Sequence, residues 1–176
     1  FYVDEHKLLP ATDPPSRQIH IGAGCFIETL AIGISSIGYE SNVQYFPEGY
    51  NTSSDFGIKP VAKIVLHKKS DAINQLSNFI PLRQTNRSSY KGNLITTEEF
   101  ISLEKEMGKI HSRFSYINNL EIMTEYKELF YKAFEIETLT YKTSEETRKM
   151  FRFSETERKE KGDGLSIPQM GYKGLI

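Results

Sequence analysis

Apolar residues recur with a helical period over 19–37, where Ile27, Leu30, Ile34 and Ile37 stand three or four positions apart. Phe26 and Ile32 fall on other faces, so the pattern predicts a helix apolar nearly all round and therefore buried. The prolines of Asp13-Pro14-Pro15-Ser16 make this a turn leading into that helix, after an irregular stretch over 1–18. Gly38 supplies its C-cap. Gly22, Ala23, Gly24 and Gly33 carry so little bulk that another backbone or a flat ligand has room to approach. Short β-prone runs follow at 42–47 and 60–67, the second being the clearest strand. Ser70 or Asp71 is placed to cap a helix bearing Ile73, Leu76 and Ile80.

Beyond residue 95 the helical period returns. Thr96 and Glu99 have the spacing of a capping box, ahead of Phe100, Leu103 and Met107 on one face. Alternation at Ile110, Ser112, Phe114 and Tyr116 predicts a strand. Asn118 or Asn119 then caps a long helix through Leu120, Met123, Phe130 and Phe134, and Thr143-Ser144-Glu145-Glu146 starts another. From Ser154 the chain reads as a charged loop. The expected class is α+β, with a mixed sheet and helices packed around the central apolar helix.

Composition narrows the picture. The hydrophobic set is 38% of the 176 residues, and 22 basic residues balance 23 acidic ones. A net charge of −1 excludes a polyanion binder that works by bulk charge, so no nucleic-acid partner is expected. One cysteine, Cys25, excludes an internal disulfide and a multi-thiolate metal site. In the apolar helix it reads as a buried, inert thiol. The four histidines are scattered, with no metal-ligand spacing. Glu28, Thr29, Ser35 and Ser36 interrupt the most apolar stretch, and no signal peptide opens the chain, so the expectation is a cytoplasmic protein without a membrane span. Glu28 on such a helix needs a partner or water, and could pair with an Arg or face a cavity. The absence of an initiator methionine and the apolar end at Gly174-Leu175-Ile176 point to a piece of a longer chain.

The segment 72–97 holds no Asp or Glu. Within it, Arg83-Gln84-Thr85-Asn86-Arg87-Ser88-Ser89-Tyr90 combines two guanidinium forks with hydroxyls and loop amides. Those are the parts of a phosphate site, although a solvated Arg face has the same composition.

Read in order, Leu8-Leu9-Pro10, Asp13-Pro14, Arg17, Gly22-Ala23-Gly24, Glu28-Thr29-Leu30-Ala31 and Gly38-Tyr39 resemble the Acg-like FMN-binding branch of the nitroreductase superfamily. The 83–90 box is similar to the R-x-T-N-R-x-x-Y signature of that branch. Phe151-Arg152-Phe153-Ser154, Asp163-Gly164-Leu165 and Gly171 continue the match more loosely. The chain departs from the pattern at Thr29, where the family often has Asn, and it lacks the family's early Asn-x-Gln-Pro-Trp-like segment and its last flavin-contacting stretch.

The resemblance implies a nitroreductase-like fold with FMN at the seam of two halves. In this chain 1–80 would be the end of a first half and 81–176 the start of a second, together one compact unit. Acg-like chains look internally duplicated, so the resemblance implies either a pseudo-dimeric monomer or a homodimer. By carry-over, Arg83 and Thr85 hold the FMN phosphate and ribityl chain. Arg87 sits near the pyrimidine edge, where a cation raises the flavin potential, and Gln84 hydrogen-bonds the same end. The implied activity moves hydride from NAD(P)H through flavin to a small-molecule electron acceptor, with no protein acid or base required. The alternative is a non-catalytic FMN-binding or storage protein with a covered flavin site.

Overall fold

The computed structural model describes residues 1–69, 73–86, 90, 92–107 and 115–170. Most of the strand predicted over 110–116, both proposed caps at Ser70 and Asp71, and Arg87 lie outside them. The chain divides into two compact units, Phe1–Asn86 and Arg87–Ile176, and the division falls inside the 83–90 box.

In the first unit the long apolar pattern forms helix α1 (Arg17–Ser35). Its start is set by Asp13, whose carboxylate accepts from the backbone amides of Arg17 (2.9 Å), Gln18 (2.8 Å) and Ile19 (3.3 Å). These are amides that the first turn of a helix leaves without intrahelical partners. Ser16, at the conventional cap position, instead takes a left-handed conformation (φ 56°) and lends no side-chain hydrogen bond. Ala23, Ile27 and Ile34 form the buried stripe, but Ile21 and Phe26 are half exposed. The helix is thus amphipathic where the sequence predicted burial all round, because only one side of it meets the core. Cys25 is exposed, correcting its reading as a buried thiol. Glu28 is exposed as well, with water as its solvation and no ion pair among the described residues.

Gly38 adopts φ 81° to turn the chain into β1 (Tyr39–Tyr45), which pairs antiparallel with β2 (Ala62–Lys68), Tyr39 opposite Lys68 and Tyr45 opposite Ala62. The core lies where this hairpin meets α1, with Ala23, Phe56 and Val61 packed under Val3, Leu8, Ile19 and Phe46. The long β1–β2 connection is held from within by Asn51, fully buried, whose amide donates to the Lys59 carbonyl at 2.9 Å. At its rim Asp55 bonds Lys59 (2.7 Å) and accepts from the Thr52 amide and hydroxyl. Hydrogen bonding from the Lys59 ammonium, then from Thr52, holds the Asp55 carboxyl well below the usual carboxylate range.

The helix predicted from Ser70 or Asp71 is a 3₁₀ helix over Gln75–Leu82, capped by the Asn74 side chain, which accepts from the Leu76 amide. Pro81 denies a longer hydrogen-bond ladder, and the tighter winding results.

In the second unit Thr96 and Glu99 form the predicted capping box reciprocally (2.8 and 3.2 Å), opening α2 (Thr97–Met107). Asn119 caps α3 (Leu120–Leu139). Helix α4 (Tyr141–Lys149) begins two residues before the predicted start, as the Thr143 hydroxyl donates back to the Glu137 and Thr140 carbonyls. The expected charged loop contains α5 (Glu155–Lys161), between β3 (Phe151–Arg152) and β4 (Leu165–Ser166), which pair in parallel. Architecture is therefore mixed α+β, as expected. The described strands form two separate two-stranded sheets, however, and not one mixed sheet. Among the described residues no strand lies between β2 and β3.

Two outcomes follow for the first unit. Asp13→Ala is expected to lower stability by about 1–2 kcal/mol in denaturant titration, with Asp13→Asn recovering part of the loss. Because a depressed carboxyl pKa stabilises above its ordinary value, the Asp55 contribution disappears only as pH falls through its lowered folded pKa. Carbon-detected NMR should place the Asp55 midpoint below 3.8, and Lys59→Met should raise it toward that value.

Candidate functional site

The acid-free segment reaches the surface from the C-terminal end of α1. The Asn74 amide donates to the buried Ser35 hydroxyl at 2.9 Å. Ile80 lies against the helix at Gly33, where a Cβ would stand at an ordinary contact distance of 3.5 Å from its Cδ1. The Arg83 amide then closes the 3₁₀ helix on the Phe79 carbonyl, and the backbone leaves it extended at Arg83 (φ −65°, ψ 128°). Arg83, Gln84 and Thr85 are all exposed, and Arg87 lies outside the described residues. Among the described residues no carboxylate pairs with Arg83. Its five donors, with the Thr85 hydroxyl nearby in the chain, are therefore available to an anion.

A groove of about 570 Å³ lies at the other end of α1. Pro15 and Arg17 border one side, His20 and Gly24 lie along the helix, and Phe46 and Tyr50 face them. The His20 ring stacks on Tyr50 (5.0 Å between centroids, 19° between planes) and tilts against Phe46 and Phe56. Its Nδ1 is 2.8 Å from the Ser16 carbonyl oxygen, a contact that requires Nδ1–H to donate. In the neutral tautomer this fixes, Nε2 is an acceptor, and it is buried without a protein partner among the described residues. Helix geometry puts His20 and Gly33 roughly 20 Å apart along the axis, so the aromatic groove and the 83–86 segment are separate surfaces of one helix.

Two fragments that the sequence offered only as a loose match come together in the second unit. Arg152 is almost fully buried, and its guanidinium bonds the Asp163 carboxylate at 2.5 Å and 3.2 Å. Its remaining arm donates to the Lys149 (2.6 Å) and Phe151 (2.9 Å) carbonyls. Gly164, at φ 77°, lies beneath this pair. A side chain there would collide with the Met150 carbonyl and sit 2.8 Å from Arg152 Cζ. The pair thus has a structural duty, as the hub that ties β3 to β4.

Periodicity gave no sign of the groove, because its aromatic wall comes from a loop. The helix α5 did carry a signal in sequence. Ser154 and Glu157 have capping-box spacing, and the Ser154 hydroxyl accepts from the Glu157 amide while the Glu157 carboxylate takes the Phe153 amide.

Comparison with family models, with curated proteins and with solved structures finds no match for the chain.

Gly164→Ala should destabilise the second unit by about 2–3 kcal/mol, since both the left-handed backbone and the contact with Met150 oppose a methyl group. Hydrogen exchange should show protection lost first at the Leu165 amide, which donates to Met150.

Proposed function

We propose that the chain is part of an FMN-binding, nitroreductase-like oxidoreductase, with Arg83, Gln84, Thr85 and Arg87 contributing to the flavin site. The observation that carries the reading is the unneutralised Arg83 on a segment without acids, tethered to α1 through Asn74, Ser35 and Ile80. A phosphate monoester carries most of two charges at neutral pH and favours bidentate guanidinium donors. A donor set exposed to water and free of internal carboxylates suits that group.

When bound, FMN supplies the hydride chemistry between NAD(P)H and an acceptor. The chain's part is binding and orientation. Arg83 neutralises and fixes the phosphate, Thr85 bonds it or the adjoining polyol, and Arg87 provides positive charge toward the other end. No side chain is assigned a proton transfer. The storage reading, in which FMN is held without turnover, uses the same residues and differs only in access to the flavin.

Purified protein should be yellow with flavin absorbance, and NAD(P)H should bleach it with reoxidation by an added acceptor. Bound flavin that NAD(P)H does not reduce would select storage. Removing one partner of a charged hydrogen bond costs about 1.5–3 kcal/mol, so Arg83→Ala is expected to weaken FMN binding roughly 10- to 100-fold in a fluorescence titration. Equal affinity in that variant would overturn the assignment.

A further inference from the structure

The groove at the start of α1 combines three features that the flavin reading does not use. Every residue lining it is described and lies within the first unit. The first feature is Gly24. Glycine weakens a helix interior relative to alanine, yet a Cβ at Gly24 would meet nothing within 4 Å, so no described neighbour calls for the missing side chain. What the glycine keeps open is the groove itself. The second feature is a cluster of flat rings, His20, Phe46 and Tyr50, whose centroids stand 5.0–5.6 Å apart. Phe46 is held at φ 47° within it, a conformation that a bulky residue adopts at a cost and that recurs in ligand clamps. The third is Arg17, the one charged residue among those lining the groove. Its backbone amide goes to Asp13, but its side chain is exposed, and no carboxylate among the described residues pairs with it.

We propose that this groove binds a small planar aromatic carboxylate. The carboxylate takes the Arg17 fork at the solvent edge, and the ring lies over Gly24 against Phe46 and Tyr50. Each part is selected by chemistry. One guanidinium offers a planar pair of donors that matches one carboxylate, whereas a phosphate monoester carries nearly two charges and calls for more cations than the groove holds. Ring faces and edges favour an aromatic body over a saturated one of equal size. Arg17 and Gly24 are two turns of α1 apart, roughly 10 Å along one side of the helix, which suits a carboxyl group on one or two fused rings. The volume of about 570 Å³ falls in the range of small-molecule sites, mostly apolar with a few polar groups to fix orientation. The inference is independent of the flavin reading, since the groove and the 83–86 segment lie toward opposite ends of α1.

The test titrates the 176-residue chain with 2-naphthoate, read by calorimetry and by the imidazole resonances of His20. Binding with a Kd on the order of 0.1 mM is expected for a ligand of this size, together with a shift of the His20 signals. 2-Naphthamide keeps the rings and loses the charge, and decahydro-2-naphthoate keeps the charge and loses the aromatic faces. Each should bind about tenfold more weakly. Arg17→Gln changes only an exposed side chain, and it should weaken naphthoate about tenfold and remove its advantage over the amide. Gly24→Leu should fill the groove and weaken binding at least about 20-fold, while the variant unfolds at no lower temperature than the original chain. Arg83→Ala should leave naphthoate affinity within about twofold. The proposal is overturned if naphthoate fails to bind at about 2 mM, or if the amide or the saturated acid binds as well. Undiminished binding by folded Gly24→Leu or by Arg17→Gln overturns it too. A parallel loss in Arg83→Ala would move the acid to the acid-free segment and count equally against the groove.

Discussion

A carboxylate removed from water must be met by donors, and Asp13, only 7% exposed, is met by three consecutive amides at the start of α1. That exchange fixes where the helix begins. The beginning in turn sets which residues face the core, since a shift of one position would rotate Ala23 away from Phe56 and Val61 by about 100°. Everything described in the first unit hangs from this helix: the hairpin packs on its buried stripe, the aromatic groove runs along its first turns, and the acid-free segment is moored to its last. The two prolines after Asp13 restrict the turn that brings the carboxylate back over the amides, so much of the ordering is done by covalent geometry.

Legibility in the sequence followed the range of the interactions. Caps were readable because donor and acceptor are three residues apart: Thr96 with Glu99, and Asn119 with the Ile122 amide, form as spelled. The long helices were readable from period, and the two strands of the hairpin from short runs of β-prone residues. Misreadings arose where distant residues decide the outcome. Whether Cys25 and Phe26 are covered depends on what packs against their side of α1, and a periodic pattern carries no such information. The α5 segment was obscured by its charge, although Glu155–Arg158 and Glu157–Lys161 pairs support it along its own surface. The Arg152–Asp163 pair joins residues whose proximity depends on the pairing of two-residue strands, too short to leave a pattern.

The candidate site inherits the same division. Its chemistry, guanidinium and hydroxyl without acids, is a property of composition and was visible at once. Its placement beside α1 depends on the Ser35 hydroxyl, which takes the Asn74 amide, and on the contact of Ile80 with the helix at Gly33. The aromatic groove around His20 is a second surface with different chemistry, flat and largely apolar, and no feature of the sequence set it apart from core.

Strands β3 and β4 run in the same direction, so the chain must travel back over their length before pairing again. The stretch from Arg152 to Leu165 is about the dozen residues that such a return demands. Helix α5 is therefore a spacer cut near its minimum, and the tolerance of this clasp to changes in length is one-sided: residues added at the Gly162 turn bulge into solvent, whereas a deleted turn of helix would pull the arginine off its aspartate.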